Sequence, residues 1–191
     1  MDYVLDILQG AGLALACGLN PFLPVLLAGA LASADLGLDF DGTAFAFLEA
    51  GWFLAVMALG LVASLLLRAP LEHPPFEAAL GGVAIGLGAL LCAGSLDDRS
   101  DVWWPGLLVG AACAALAAAA ARSILQRTRR RLDAQAAAAL PLYAAGVAVV
   151  VAGVCVAGPP LALLAVGFFA RLLAGGKRRE GEKYAGLRIL R

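Results

Sequence analysis

The stretch Tyr3–Ala34 runs for thirty-two residues with a single charge, Asp6, and is interrupted in its middle by Cys17-Gly18-Leu19-Asn20-Pro21-Phe22-Leu23-Pro24. A run this long and apolar belongs in a bilayer, where one crossing helix takes about 20 such residues. The interruption is unfavourable there. Pro21 has no N–H to give the carbonyl of Cys17, and Pro24 has none for that of Asn20. Irregular backbone at membrane depth is tolerated only where protein or a water-filled cavity surrounds it. The chain is therefore expected to be an all-α, polytopic membrane bundle with a polar defect in its opening segment.

The rest of the composition agrees. Of the 191 residues 62% are hydrophobic and 15% charged, against about 45–50% and about 25% in soluble domains. That length suffices for about six membrane segments of roughly 20 residues, with almost nothing left for an extramembrane domain. Residues 1–176 read as the membrane domain and 177–191 as a basic tail. A cleaved leader is not expected, because the first nine residues hold Asp2 and Asp6 but no Lys or Arg, and the apolar run far exceeds a signal sequence.

Six apolar segments follow one another: Tyr3–Ser33, then about 51–67, 76–95, 105–121, 136–156 and 161–173. As one straight helix the first would reach about 46 Å, against a hydrocarbon core of about 30 Å. It must tilt, kink, protrude or fold back as a re-entrant pair. Trp103-Trp104-Pro105 opens the fourth segment with an interfacial aromatic pair and a proline suited to a first helical turn. Gly82-x3-Gly86 and Gly106-x3-Gly110-x3-Ala114 are small-residue ridges, for packing within the chain or in a homo-oligomer.

Charge is balanced overall, 14 basic against 14 acidic residues, yet 12 of the basic ones lie from Arg122 onward. Positive residues collect on the cytoplasmic side, so the loop holding Arg127, Arg129, Arg130 and Arg131 and the C-terminal tail are expected inside. Six crossings with both termini inside satisfy this; a re-entrant first segment moves the N-terminus outside. The basic cluster has no interleaved aromatics, so no nucleic-acid partner is expected; membrane lipids are.

Two places carry candidate chemistry. In the first, Asn20 with the freed carbonyls around Cys17, Gly18, Pro21 and Pro24 forms either a polar path for an ion or solute or a kink patched by neighbouring helices. In the second, Glu72, His73 and Glu77 lie in a proline-rich turn entering the third segment. They read either as a solvated turn, with Glu77 favourably placed at a helix N-terminus, or as a proton or metal-binding group. Arg122 and Arg171, at the inner ends of the fourth and sixth segments, either snorkel to headgroups or pair with an anion or with Glu77. Cys17, Cys92, Cys113 and Cys155 fall in four different segments, as small apolar packing residues do. The chain has no GxSxG, HExxH, P-loop or dinucleotide fingerprint. Neither enzymatic activity, cofactor nor resident metal is expected.

Gly12, the run Ala16-Cys17-Gly18-Leu19-Asn20-Pro21-Phe22-Leu23-Pro24, a polar proline-containing turn before the third segment, an arginine-ended fourth segment and the tail Lys183-Tyr184-Ala185-Gly186-Leu187-Arg188 together resemble the bacterial membrane-protein family filed as domain of unknown function 4126. In that family an acid commonly follows the proline in the turn after the second segment, a place Glu72 matches. This chain has a shorter turn there, and carries Arg127–Arg131 where the family has a more polar stretch. The resemblance implies a multi-pass protein of the bacterial inner membrane.

The expectation that follows is a small channel or transporter, homo-oligomeric, with Asn20 on its polar path and Glu72 and Glu77 at its cytoplasmic mouth. The alternative is a non-transporting scaffold or accessory subunit that packs through its glycine faces.

Overall fold

The structure, a computed structural model, describes residues 2–34, 36–66, 74–97, 102–129, 132 and 134–185. Seven helices account for most of them: α1 Asp2–Leu19, α2 Leu23–Ala32, α3 Gly51–Leu66, α4 Pro74–Asp97, α5 Trp104–Arg129, α6 Ala134–Ala157 and α7 Leu161–Ala185. A single 3₁₀ turn, Ala46–Leu48, precedes α3, and the described residues include no strand. Three stretches are long and apolar enough to cross a membrane: Phe76–Asp97, Trp104–Thr128 and Ala139–Ala157. The other apolar stretches among the described residues, Tyr3–Leu19, Leu23–Ala32, Gly51–Leu66 and Leu161–Gly175, are shorter.

The opening segment folds back. α1 ends at Leu19, and α2 returns alongside, so that Gln9 Nε2 donates to the carbonyl of Gly37 at 2.7 Å. Successive helices then alternate in direction. Gly10 faces Cys92 and Gly88 faces Ala14, which sets α4 antiparallel to α1; Gly12 faces both Cys155 and Ala162, which brings the end of α6 and the start of α7 to the start of α1. The bundle thus has two distinct ends. One gathers Trp52, Trp103 and Trp104, each at the first turn of a helix or just before it. The other gathers the C-terminal part of α5 with Arg122, the N-terminal part of α4 with Glu77, and the tip of the α1–α2 hairpin. α1 starts at the tryptophan end and α7 runs toward the arginine end, so these two helices begin and finish on opposite sides. The first segment is thus not one straight helix but a hairpin of α1 and α2.

α1 is the central helix. It packs against α4, α5, α6 and α7, and Leu13, Ala14, Leu15, Ala16 and Cys17 expose no surface. A helix apolar on every side has to be enclosed this way. Small residues make the enclosure possible. A side chain at Gly18 would run into the Ala114 carbonyl oxygen, and one at Gly110 would lie 2.6 Å from the Gly88 carbonyl oxygen. The Gly106–Gly110–Ala114 ridge is therefore spent inside the chain, between α4, α5 and α1. Gly82 and Gly86 instead have nothing within 4 Å.

The outer surface is apolar. Leu59 and Leu66 on α3, Tyr143 and Val150 on α6, and Leu164 and Phe168 on α7 are all more than half exposed. Such a continuous apolar exterior marks a protein whose surroundings are lipid. α3 is the least embedded helix: Phe53 is its one buried residue, and it leans on α2, with Gly60 against the Phe22 ring and Leu54 against Gly29. Two helices outrun the boundaries read from hydropathy. α5 continues past Ala121 to Arg129, and α7 crosses Gly175-Gly176 to reach Ala185. The Arg, Lys, Gln and Glu residues in these extensions are good helix formers once they leave the apolar layer.

Candidate functional site

The hairpin tip is built by Asn20. Its backbone N–H closes α1 on the carbonyl of Ala16 at 3.1 Å. Its side-chain Oδ1 accepts from the N–H groups of Phe22 at 3.0 Å and Leu23 at 3.1 Å. One residue thus ends the first helix and caps the second, as a short polar side chain at a helix start does. Pro24 falls in the first turn of α2, where no helical partner is needed for its missing N–H. With Oδ1 committed to the cap, the amide of Asn20 has only donor capacity left.

A cavity of about 480 Å³ lies beyond this tip, toward the arginine end. Its origin is a mismatch of lengths. The central helix stops at Leu19, level with Ala118 of α5, whereas α5 continues to Arg129, eleven residues or about 16 Å further. The surrounding helices outlast the one they surround, and no described residue fills the space between them. The polar groups around it are Asn20, Ser64, Glu77, Arg122 and Gln126; Gly81, Leu80, Leu125 and Pro141 supply much of the rest. In the other direction it abuts residues 13–17 of α1, which expose no surface.

Glu77 Oε1 and Arg122 Nε stand 4.0 Å apart, with 44% and 43% of their side chains exposed. This loose pair joins α4 to α5 across the cavity wall. Gly81, one turn from Glu77, is what lets it form: any side chain there would occupy the place of the Arg122 Nη2. Ser64 donates to the Leu61 carbonyl at 2.7 Å, so its hydroxyl meets the cavity as an acceptor.

The structure brings together Gly18, Asn20, Pro21, Glu77 and Arg122. Cys17 and Pro24 do not join them; both are fully buried behind the tip, in helix packing. Glu72 and His73 lie outside the described residues. Arg171 is exposed on α7 and does not line the cavity. Among the described residues no three His, Cys, Asp or Glu side chains converge on a metal-sized site. Ser64, Gly81 and Gln126 were not singled out as site residues from sequence. The signal for Gln126 was its spacing, one helical turn beyond Arg122; Gly81 had none, since its use depends on a neighbouring helix. Compared with protein-family models, with curated proteins and with solved structures, the chain finds no match in any of the three.

Proposed function

We propose that this chain is a small membrane transporter of the alternating-access kind, with its substrate cavity open toward the arginine end. The observation that carries the reading is the blind cavity of about 480 Å³ ending at the Asn20–Pro21 break. A pocket of that size suits one small organic molecule, and a discontinuous membrane helix ending in it is how many carriers place polar groups at depth. The tight packing of residues 13–17 just above Gly18 favours a carrier over an open channel. The arginines beside the cavity support a mouth on the cytoplasmic side.

Side-specific labelling tests this. With the four native cysteines replaced by alanine, Ala121→Cys lines the cavity and Leu13→Cys sits in the sealed part. In sealed vesicles, a membrane-impermeant maleimide should modify position 121 from the arginine side alone and leave position 13 unmodified. Labelling at 121 should then stop flux of whichever member of a panel of ions, amino acids and phosphate esters the reconstituted protein carries. A position 121 that resists the reagent from both sides would favour the scaffold reading.

A further inference from the structure

The cavity does not end at its polar groups. Leu142 forms part of its wall and is also the first residue of a shallow groove on the outer face of α6, lined by Leu142, Tyr143, Gly146, Val147 and Val150. These residues recur at helical spacing on one side of α6, and Gly146, with nothing within 4 Å of where a side chain would start, makes the dent. The groove has a volume of about 340 Å³. It runs from the arginine end toward the middle of the bundle, over eight residues from Leu142 to Val150, or about 12 Å.

A mostly apolar cavity that carries Asn20, Arg122 and Gln126 and shares Leu142 with an apolar groove on the outer face of α6 has the two-part chemistry of an amphiphile. Resting on the reading of the cavity as a substrate site, we propose that its ligand is a phosphate-bearing lipid of the leaflet at the arginine end. The headgroup enters between the hairpin tip and Arg122, and one acyl chain lies along α6. Three observations select phosphate. Arg122 touches Glu77 through Nε alone, at 4.0 Å, and a guanidinium so loosely held presents its remaining donors to an oxyanion fork-to-fork. Asn20 has spent its acceptor on the α2 cap and meets the cavity as a donor. Gln126 sits within one helical turn of Arg122 on the same wall. The N-terminus of α2 does not take part, because Asn20 already occupies its N–H groups and Pro24 has none. The polarity of the slot matches a lipid standing in its own leaflet, with headgroup at the basic end and chain toward the bilayer centre.

The test uses the full-length chain in maltoside detergent, titrated and read by native mass spectrometry with three probes. Palmitoyl lysophosphatidylglycerol has both parts, monopalmitoylglycerol only the chain, and glycerol phosphate only the charged head. The expected order places the lysophospholipid about tenfold or more ahead of either half. Arg122→Gln should lower lysophospholipid binding about tenfold and leave monopalmitoylglycerol unchanged. Arg122→Lys should restore part of it. Gly146→Leu fills the groove from open space, so it should weaken the lysophospholipid while sparing glycerol phosphate. Thermal unfolding of each variant confirms that it is folded. Glycerol phosphate binding as tightly as the lysophospholipid would overturn the lipid assignment, marking the source as a soluble phosphate, while the transporter reading would stand. Unchanged lysophospholipid binding in both Arg122→Gln and Gly146→Leu would mean ordinary annular lipid only and would also overturn it. The labelling of position 121 fails or succeeds independently of either result.

Discussion

Alanine at two glycines of the bundle should have opposite effects, and the difference measures how closely α4 and α5 approach. A methyl group at Gly110 would lie 2.6 Å from the Gly88 carbonyl oxygen, 2.7 Å from Cys92 Cβ and 2.9 Å from Ala89 Cα. Two of these three are backbone atoms, which no rotamer change can move aside. The helices must part, and overpacking of this kind costs about 1–3 kcal/mol. At Gly86 there is nothing within 4 Å. There alanine should bring only the gain from replacing helical glycine, about 0.5–1 kcal/mol. That gain is common to both variants, so the gap between Gly110→Ala and Gly86→Ala isolates the packing cost and should be about 1–3 kcal/mol. The assay is reversible unfolding in mixed micelles of a mild and a denaturing detergent. Tryptophan fluorescence is a suitable probe, since Trp103 and Trp104 stand at the start of α5. Equal stability of the two variants would refute the placement of α5 against α4. So would a Gly86→Ala protein destabilised as much as Gly110→Ala, which would put α4's glycine face inside an unrecognised interface.

Three further outcomes follow from named contacts. Asn20→Ala removes both cap hydrogen bonds and should cost about 1 kcal/mol in the same unfolding assay, with Asn20→Ser recovering part of the loss; an alanine variant as stable as the native chain would argue against the hairpin tip. A double-mutant cycle on Glu77→Gln and Arg122→Gln should give a coupling below about 1 kcal/mol, because both side chains are more than two-fifths exposed and 4.0 Å apart; a coupling of several kcal/mol would mean the pair is buried and tight. Gln9→Leu deletes the bond to the Gly37 carbonyl and should lower stability by about 1 kcal/mol while speeding amide exchange in residues 36–40; unchanged exchange there would remove the tie between α1 and the segment after α2.

Legibility in the sequence differed by kind of information. The existence of the helices was largely readable, because apolar runs separated by Gly, Pro and charge clusters follow from backbone chemistry alone, but the ends of α5 and α7 were not, since their helices continue into charged residues. The break at Asn20–Pro21 was readable for the same reason. The role of Asn20 was less so: sequence left open a polar path or a kink patched by neighbouring groups, and did not show that the side chain accepts from the N–H groups of Phe22 and Leu23 at the start of α2. The use of Gly106 and Gly110 within the chain, and the outward face of Gly82 and Gly86, were both invisible. The same small-residue spacing serves either purpose, and the choice depends on which helices meet. Ser64, Gly81 and Gln126 joined the site through tertiary proximity alone.

The two prolines and one asparagine acquire a structural meaning from the lengths they impose. Had the first segment continued as one helix, it would have run the full height of the bundle beside α5, and the core would have been filled throughout. The turn at Asn20 stops it about 16 Å short of the end of α5. It also sends ten residues back as α2, which occupy the place where α3 would otherwise pack against α1. Both consequences appear together: α3 is left leaning on α2 with one buried side chain, and a cavity opens between α3, α4, α5 and α6 at the hairpin tip. The turn at Asn20–Pro21 thus links the central buried helix, the loosely held α3 and the one-sided chamber. α3 rests on α2 through Phe22 against Gly60 and Leu54 against Gly29, so among the helices around the chamber it is the one held by the fewest buried side chains.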